Sequence, residues 1–169
     1  PSLVSPKIIE RLITKLSNER LIKDHCEISF ELNPKEVSKE YLNNITNIGI
    51  NRISIGIQSF DQIVLDSLER NHNAQQSLIA METVAEFEKL ETSIDLIYGV
   101  MEQSQSSLQN DLETFCKYNF NHLSLYQLTI EPNTIFYKRE LKIPSDEIIE
   151  SMELMAKRTL NQNEIYQYE

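Results

Sequence analysis

Apolar runs of strand length alternate with amphipathic stretches of helix length along this chain, and that alternation restricts the fold more than any other feature. The runs are CEISFEL (26–32), NRISIGI (51–57), ETSIDLIYG (91–99) and HLSLYQLTI (122–130). A strand, a helix and a further strand cannot close a tight hairpin. They pair in parallel through a right-handed crossover.

The intervening stretches read as helices from their apolar spacing and end signals. In PKIIERLITKLSNER, residues Ile8, Ile9, Leu12, Ile13 and Leu16 line one face, with Ser5 as cap and Pro6 in the first turn. Asn33-Pro34 ends the first strand, because the residue before proline is held out of the helical region. The stretch 35–49 is amphipathic and stops at Gly49. Asp61 caps DQIVLDSLER, a second helix runs over roughly 74–89, and SQSSLQNDLETFCKY follows. Ser145 caps DEIIESMELMAKRTLNQN, and EIYQYE at the end is a candidate fifth strand. The order is α-β-α-β-α-α-β-α-β-α-β. It predicts an α/β fold, a partial (β/α) barrel of parallel strands with too few strands to close.

Composition removes several classes of function. The net charge is −10 and no Lys/Arg cluster stands out, so a polyanion such as nucleic acid is not an expected partner. No apolar run reaches the length of a membrane span, and PSLVSPKIIERL lacks a secretory apolar region. Cys26 and Cys116, alone and far apart, make no disulfide framework, which favours a reducing cytoplasm. With 40% hydrophobic and 25% charged residues, the chain reads as one globular domain over 1–169. Only Gly49, Gly56 and Gly99 are present; a dinucleotide or nucleoside-triphosphate loop needs closely spaced glycines. His25, His72 and His122 share no ligand spacing, and surface or supporting roles account for them. The two cysteines read as buried thiols. No residue is assigned a catalytic or metal-ligating role.

Each strand run is read as ending on a polar residue that burial does not require, and these strand exits are Glu31, Gln58, Asp95 and Tyr126-Gln127. In a (β/α) barrel such residues gather at one face. Glu31 alternates with Phe30 and Leu32, as a site carboxylate or a solvated edge residue would. Asp95, flanked by Ile94 and Leu96, needs a hydrogen-bonding partner, structural or ligand. Gln58 suits hydroxyl or ring-nitrogen recognition. Arg70 is either a helix-dipole partner or a two-pronged clamp for a carboxylate. Two acids, an amide and an arginine together suit a zwitterionic ligand with hydroxyls, of which S-adenosylmethionine is one.

The segments PSLVSP, ISFELNP, GINRISIGIQSFDQIVLDSLERNH, SIDLIYGV and HLSLYQLTIEPNTIFYK resemble the radical S-adenosylmethionine proteins around oxygen-independent coproporphyrinogen III oxidase. LSLYQLTIEPNT is more similar to the heme-chaperone branch. The resemblance covers nearly the whole chain and implies a single, incomplete radical S-adenosylmethionine core over 1–169. It implies that Arg70 pairs the methionyl carboxylate, that Glu31 lies near the methionyl end, and that Gln58 and Asp95 address the ribose hydroxyls. Tyr126 matches a contact near the adenine. It further implies heme or a porphyrinogen as partner and a 4Fe–4S cluster in the intact family.

The family's cluster motif, C-x3-C-x2-C, is absent, and Cys26 and Cys116 do not replace it. The glycine-rich turn ahead of PSL and the region beyond YQYE are absent as well. The expectation is therefore a truncated or split product, inactive alone, with its first strand missing. The edge beside strand 26–32 would then be open to self-pairing. A different class, a non-catalytic ligand-binding or assembly module built on the half-barrel, is the alternative. An unrelated lyase using Asp95 and Glu31 as acid and base rests on strand position alone.

Overall fold

The computed structural model describes residues 4–23, 25–120, 122–139 and 143–168. Its centre is a sheet of four parallel strands in the order β1-β2-β3-β4, with β1 at Ser29–Leu32, β2 at Arg52–Gln58, β3 at Glu91–Tyr98 and β4 at His122–Gln127. Sequential strands are spatial neighbours, the commonest arrangement of consecutive elements. Ser29 to Leu32 pair with Arg52 to Ile55, and Ser93 to Tyr98 pair with His122 to Gln127. This is the parallel α/β sheet that the alternation predicts.

Successive side chains on a strand point to opposite faces, and in β2 the two faces differ sharply. Ile53, Ile55 and Ile57 are fully buried, while Arg52, Ser54, Gly56 and Gln58 between them are only partly covered. The buried face is roofed by α2 (Lys39–Ile48), α4 (Ala74–Ala85), α5 (Gln105–Cys116) and α7 (Asp146–Gln162). Leu42 and Ile45, Met81 and Val84, Leu108 and Leu112, and Met152 from these helices join the β2 isoleucines, Ile94 and Leu96 in one core. Parallel sheets are ordinarily covered on both sides. Here the second side carries serines, acids and an arginine.

Local signals set the helix ends. Ser38 accepts from the Tyr41 N–H and Gly49 closes α2 at φ 108°, a left-handed cap that glycine takes without a Cβ penalty. Asp61 accepts from the Ile63 N–H to start α3 (Gln62–Ser67), and Asn73 and Gln76 form a reciprocal capping box on α4. Ser104 starts α5 in the same way. A short α6 spans Ile135–Lys138 behind a Thr134 cap.

Two expectations, the end of the second helix and the fifth strand, are corrected. The second helix ends at Ala85 rather than near 89, because Glu86, Glu88 and Lys89 are exposed and only Phe87 and Leu90 turn inward. In α1 (Pro6–Asn18) the apolar face is partly covered: Ile9 is buried, yet Ile8 and Leu12 are exposed. EIYQYE forms no strand among the described residues. Glu164 takes a positive φ of 60°, Ile165 tucks against the core, and Tyr166 and Tyr168 stay exposed. The segment meets β4 through side chains, with the Tyr168 hydroxyl bonded to His122 Nε2.

Candidate functional site

The polar face of the sheet is built around Gly56. A Cβ added there would stand 3.0 Å from Gln58 Nε2 and 3.3 Å from Arg70 Nη2. The amide and the guanidinium therefore lie together over the space that a side chain would fill. Arg70 sits beyond the end of α3, in the loop to α4, and is not the last residue of that helix as the sequence implied. Its Nη2 donates to Asn33 Oδ1 at 3.2 Å and to the Gly56 carbonyl at 3.1 Å. Its Nε is buried and has no hydrogen-bond partner among the described residues. Burial pulls the guanidinium below its ordinary pKa, and Glu36 opposes the shift. A buried donor without an acceptor is costly, and a fork-shaped cation with a free donor matches a carboxylate well.

Asp95 shares this face. Ser54 donates to its Oδ1 at 2.9 Å, and Asp95 pairs in register with Ser124 on β4. Burial raises the Asp95 pKa above its ordinary value; the two serines pull it back, and nearby Glu31 pushes it further up. Glu31 pairs in register with Ser54 on the exposed side of β1. Asp95 lies mid-strand in β3 rather than at a strand exit. Glu31, Gln58, Arg70 and Asp95 thus share one face across three strands and a returning loop.

Tyr126 pairs with Ile97 and is 55% exposed. It lines a cavity of about 380 Å³ along the free edge of β4, together with His122, Glu153, Lys157 and Tyr168. Glu31, Gln58, Arg70 and Asp95 are not part of that lining. Tyr126 stands on the same side of the sheet as Asp95, two strand positions beyond its partner Ser124.

Sequence reasoning did not find the supports beneath the face. Asp111, 1% exposed, accepts from the Ser59 hydroxyl and the Phe60 N–H, each at 2.7 Å. Ser59 Oγ in turn accepts from the Asp61 N–H, and Ser107 donates to Asp61. These bonds tie the β2–α3 loop to α5. Burial pushes the Asp111 pKa up to about 6, with Ser59 and Phe60 opposing and Asp61 adding to the rise. A signal was present: Asp111 lies in the stripe Ser107, Leu108, Asp111, Leu112, Phe115, where a helix buries its inner face. His72 is buried rather than at the surface, its Nε2 3.1 Å from the Ile57 carbonyl. The cysteines are half-buried, not core thiols; burial raises the Cys116 pKa, as does Glu113.

The fit to the implied cofactors differs between the two. The orphaned Arg70 Nε, the amide beside it and the hydroxyl-bonded Asp95 suit a zwitterionic ligand bearing hydroxyls. A 4Fe–4S cluster does not fit the residues in hand. It needs more thiolates than the two cysteines supply, and no group of three or more His, Cys, Asp or Glu able to hold a metal occurs among the described residues. No step is derived through such a cluster.

Comparison with known proteins supplies the family. A heme chaperone HemW of Buchnera aphidicola subsp. Schizaphis graminum (strain Sg) is 34% identical over 169 residues, which is all of this chain and 45% of that protein. The mitochondrial radical S-adenosyl methionine domain-containing protein 1 of Danio rerio is 35% identical over 176 residues, all of this chain and 39% of its own length. Among solved structures, coproporphyrinogen III oxidase (HemN) from Escherichia coli, described as a radical SAM enzyme, superposes with a TM-score of 0.85 at 25% identity. That match covers 96% of this chain and 38% of that one. The chain therefore spans less than half the length of these relatives. The family model of the Radical SAM superfamily matches residues 2–115, and this chain belongs to that superfamily.

Proposed function

We propose that this chain is core sequence of a heme-handling radical S-adenosylmethionine protein and supplies the face that holds S-adenosylmethionine. Arg70 takes the methionyl carboxylate through its fork, Glu31 faces the ammonium, Gln58 and Asp95 take ribose hydroxyls, and Tyr126 stacks near the adenine. The observation that carries the reading is the Arg70–Gln58 pair over Gly56, with a buried donor on Arg70 that no described residue satisfies. The heme-chaperone relatives match the full chain at 34% identity, so heme is the proposed larger partner in preference to a porphyrinogen. A reducing compartment, the cytoplasm first, is the proposed location.

Titration calorimetry of S-adenosylmethionine into the chain tests this. Saturable binding is expected, weakened about tenfold or more by Arg70→Ala, the loss expected for a charge-assisted bidentate pair. Arg70→Lys recovers only part of it, because an ammonium lacks the fork. Absence of saturable binding by the wild-type chain contradicts the reading.

The cysteine count favours a second reading for this stretch taken by itself: a ligand-binding module that does no radical chemistry. Binding of S-adenosylmethionine without cleavage under reducing, anaerobic conditions with added iron and sulfide supports it. Production of 5′-deoxyadenosine by the chain alone contradicts it.

A further inference from the structure

Gln58 holds a backbone conformation that a glutamine rarely adopts. Its φ is 69°, and the Ser59 N–H donates to the Ile57 carbonyl at 2.9 Å. A bond from one residue to the second before it, with the middle residue at positive φ, is the rarer and strained form of γ-turn. The turn coincides with the register shift between Ile55 and Gln58 where β2 pairs with β3. It also accompanies the placement of the Gln58 amide back over Gly56, beside Arg70.

A strained residue persists only where its surroundings over-determine it. Downstream, Asp111 grips Ser59 and Phe60, and Ser77 donates to the Ser59 carbonyl. Upstream, the Ile57 carbonyl accepts a second bond, from His72. His72 is 4% exposed, and its other ring nitrogen, Nδ1, has no partner among the described residues. Among the described residues the ring thus has one polar contact, and it falls on the carbonyl that begins the turn. A carbonyl accepts from an N–H, so Nε2 carries the proton and Nδ1 is bare. Burial holds the His72 pKa below its ordinary value; the bond to Ile57 opposes this, Arg70 adds to it and Glu36 opposes it.

We propose that His72 is a positioning residue: by holding the Ile57 carbonyl it keeps Gln58 in the left-handed turn and sets the Gln58 amide beside the Arg70 guanidinium. This is a role for a histidine that touches no ligand. The consequence for S-adenosylmethionine rests on the function proposed above; the control of the turn does not.

Nuclear magnetic resonance on the full chain separates the two. In the wild-type protein the imidazole nitrogen spectrum is expected to show Nε2 protonated and Nδ1 bare; the opposite tautomer overturns the proposal without any variant having to fold. In His72→Leu the Gln58 backbone couplings and side-chain amide signals are expected to move toward those of an extended residue. In His72→Gln, which returns an N–H donor at similar reach, they are expected to move back. Unchanged Gln58 signals in folded His72→Leu overturn the proposal. In calorimetry, His72→Leu is expected to weaken S-adenosylmethionine binding about as much as Gln58→Ala, on the order of tenfold, and the double variant no more than Gln58→Ala alone. Fully additive losses overturn the route through Gln58. Wild-type chain that binds no S-adenosylmethionine defeats the ligand assignment instead, while the tautomer and the Gln58 signals still decide the turn.

Discussion

A methyl group at Gly56 would meet the Gln58 amide nitrogen at 3.0 Å and the Arg70 guanidinium at 3.3 Å. Both are ends of long side chains that can give by a few tenths of an ångström. Gly56→Ala is therefore expected to leave the unfolding midpoint nearly unchanged and to weaken S-adenosylmethionine binding; binding equal to wild type would remove the pair from the site. Asp111 yields a pH prediction. Its folded pKa of about 6 stands above its ordinary 3.8, so the folded state holds its proton more tightly. The group's stabilising contribution is full below pH 3.8 and is lost as pH rises through about 6. The size is about 3 kcal/mol, from about 1.4 kcal/mol per pKa unit. Asp95, also raised, acts with the same sign, and His72, lowered, acts against it. Comparing denaturant unfolding of wild type and Asp111→Asn from about pH 4 to pH 7 isolates the term. Wild type should lose stability relative to the variant, and parallel curves would contradict the assignment. Glu31 and Asp95 were legible in the sequence because a carboxylate inside an alternating strand stands out. His72 and Asp111 were passed over, although Asp111 stands in the buried stripe of α5, because each bonds groups far off in the sequence: the Ile57 carbonyl 15 residues away for His72, and the Ser59 hydroxyl and Phe60 N–H 52 and 51 residues away for Asp111.

At the scale of the element, β2 separates structure from function by alternation. Ile55 is fully buried, and Ile55→Ala is expected to cost about 2–5 kcal/mol in unfolding experiments. Ser54, its neighbour on the open face, donates to Asp95. Ser54→Ala should cost less stability and raise the Asp95 pKa further, since the hydroxyl favours the ionised form; carboxyl-carbon titration reads this directly, and a fall would contradict it. The same alternation made the strands legible and misled at EIYQYE. Period-two spacing records which residues turn inward, but not whether backbone groups find a ladder. There the left-handed Glu164 turns the chain and only Ile165 reaches the core. The apolar stripe of α1 was read correctly as a helix, but a stripe does not say how much of it is covered.

At the scale of the molecule, helices cover one face of the sheet while the other stays polar and accessible, and β1 and β4 are its edges. The alternation of strands and helices was enough to give the parallel architecture, because connection rules leave few other choices. The convergence of side chains on one face was legible only in outline: strand positions could be read, whereas the return of Arg70 from the α3–α4 loop depends on tertiary contacts to Asn33 and Gly56. The central claim is that S-adenosylmethionine is held on this polar face and meets the cavity along β4 only at Tyr126. Mapping ligand-induced shifts across the nitrogen–proton spectrum of the chain tests it most directly. The account predicts that Arg70 Nε, the Gln58 side-chain amide and the backbone signals of Glu31 and Asp95 move together on titration, with Tyr166 and Tyr168 little changed. Shifts concentrated at Tyr166, Tyr168 and Lys157, with Arg70 and Gln58 still, would contradict it.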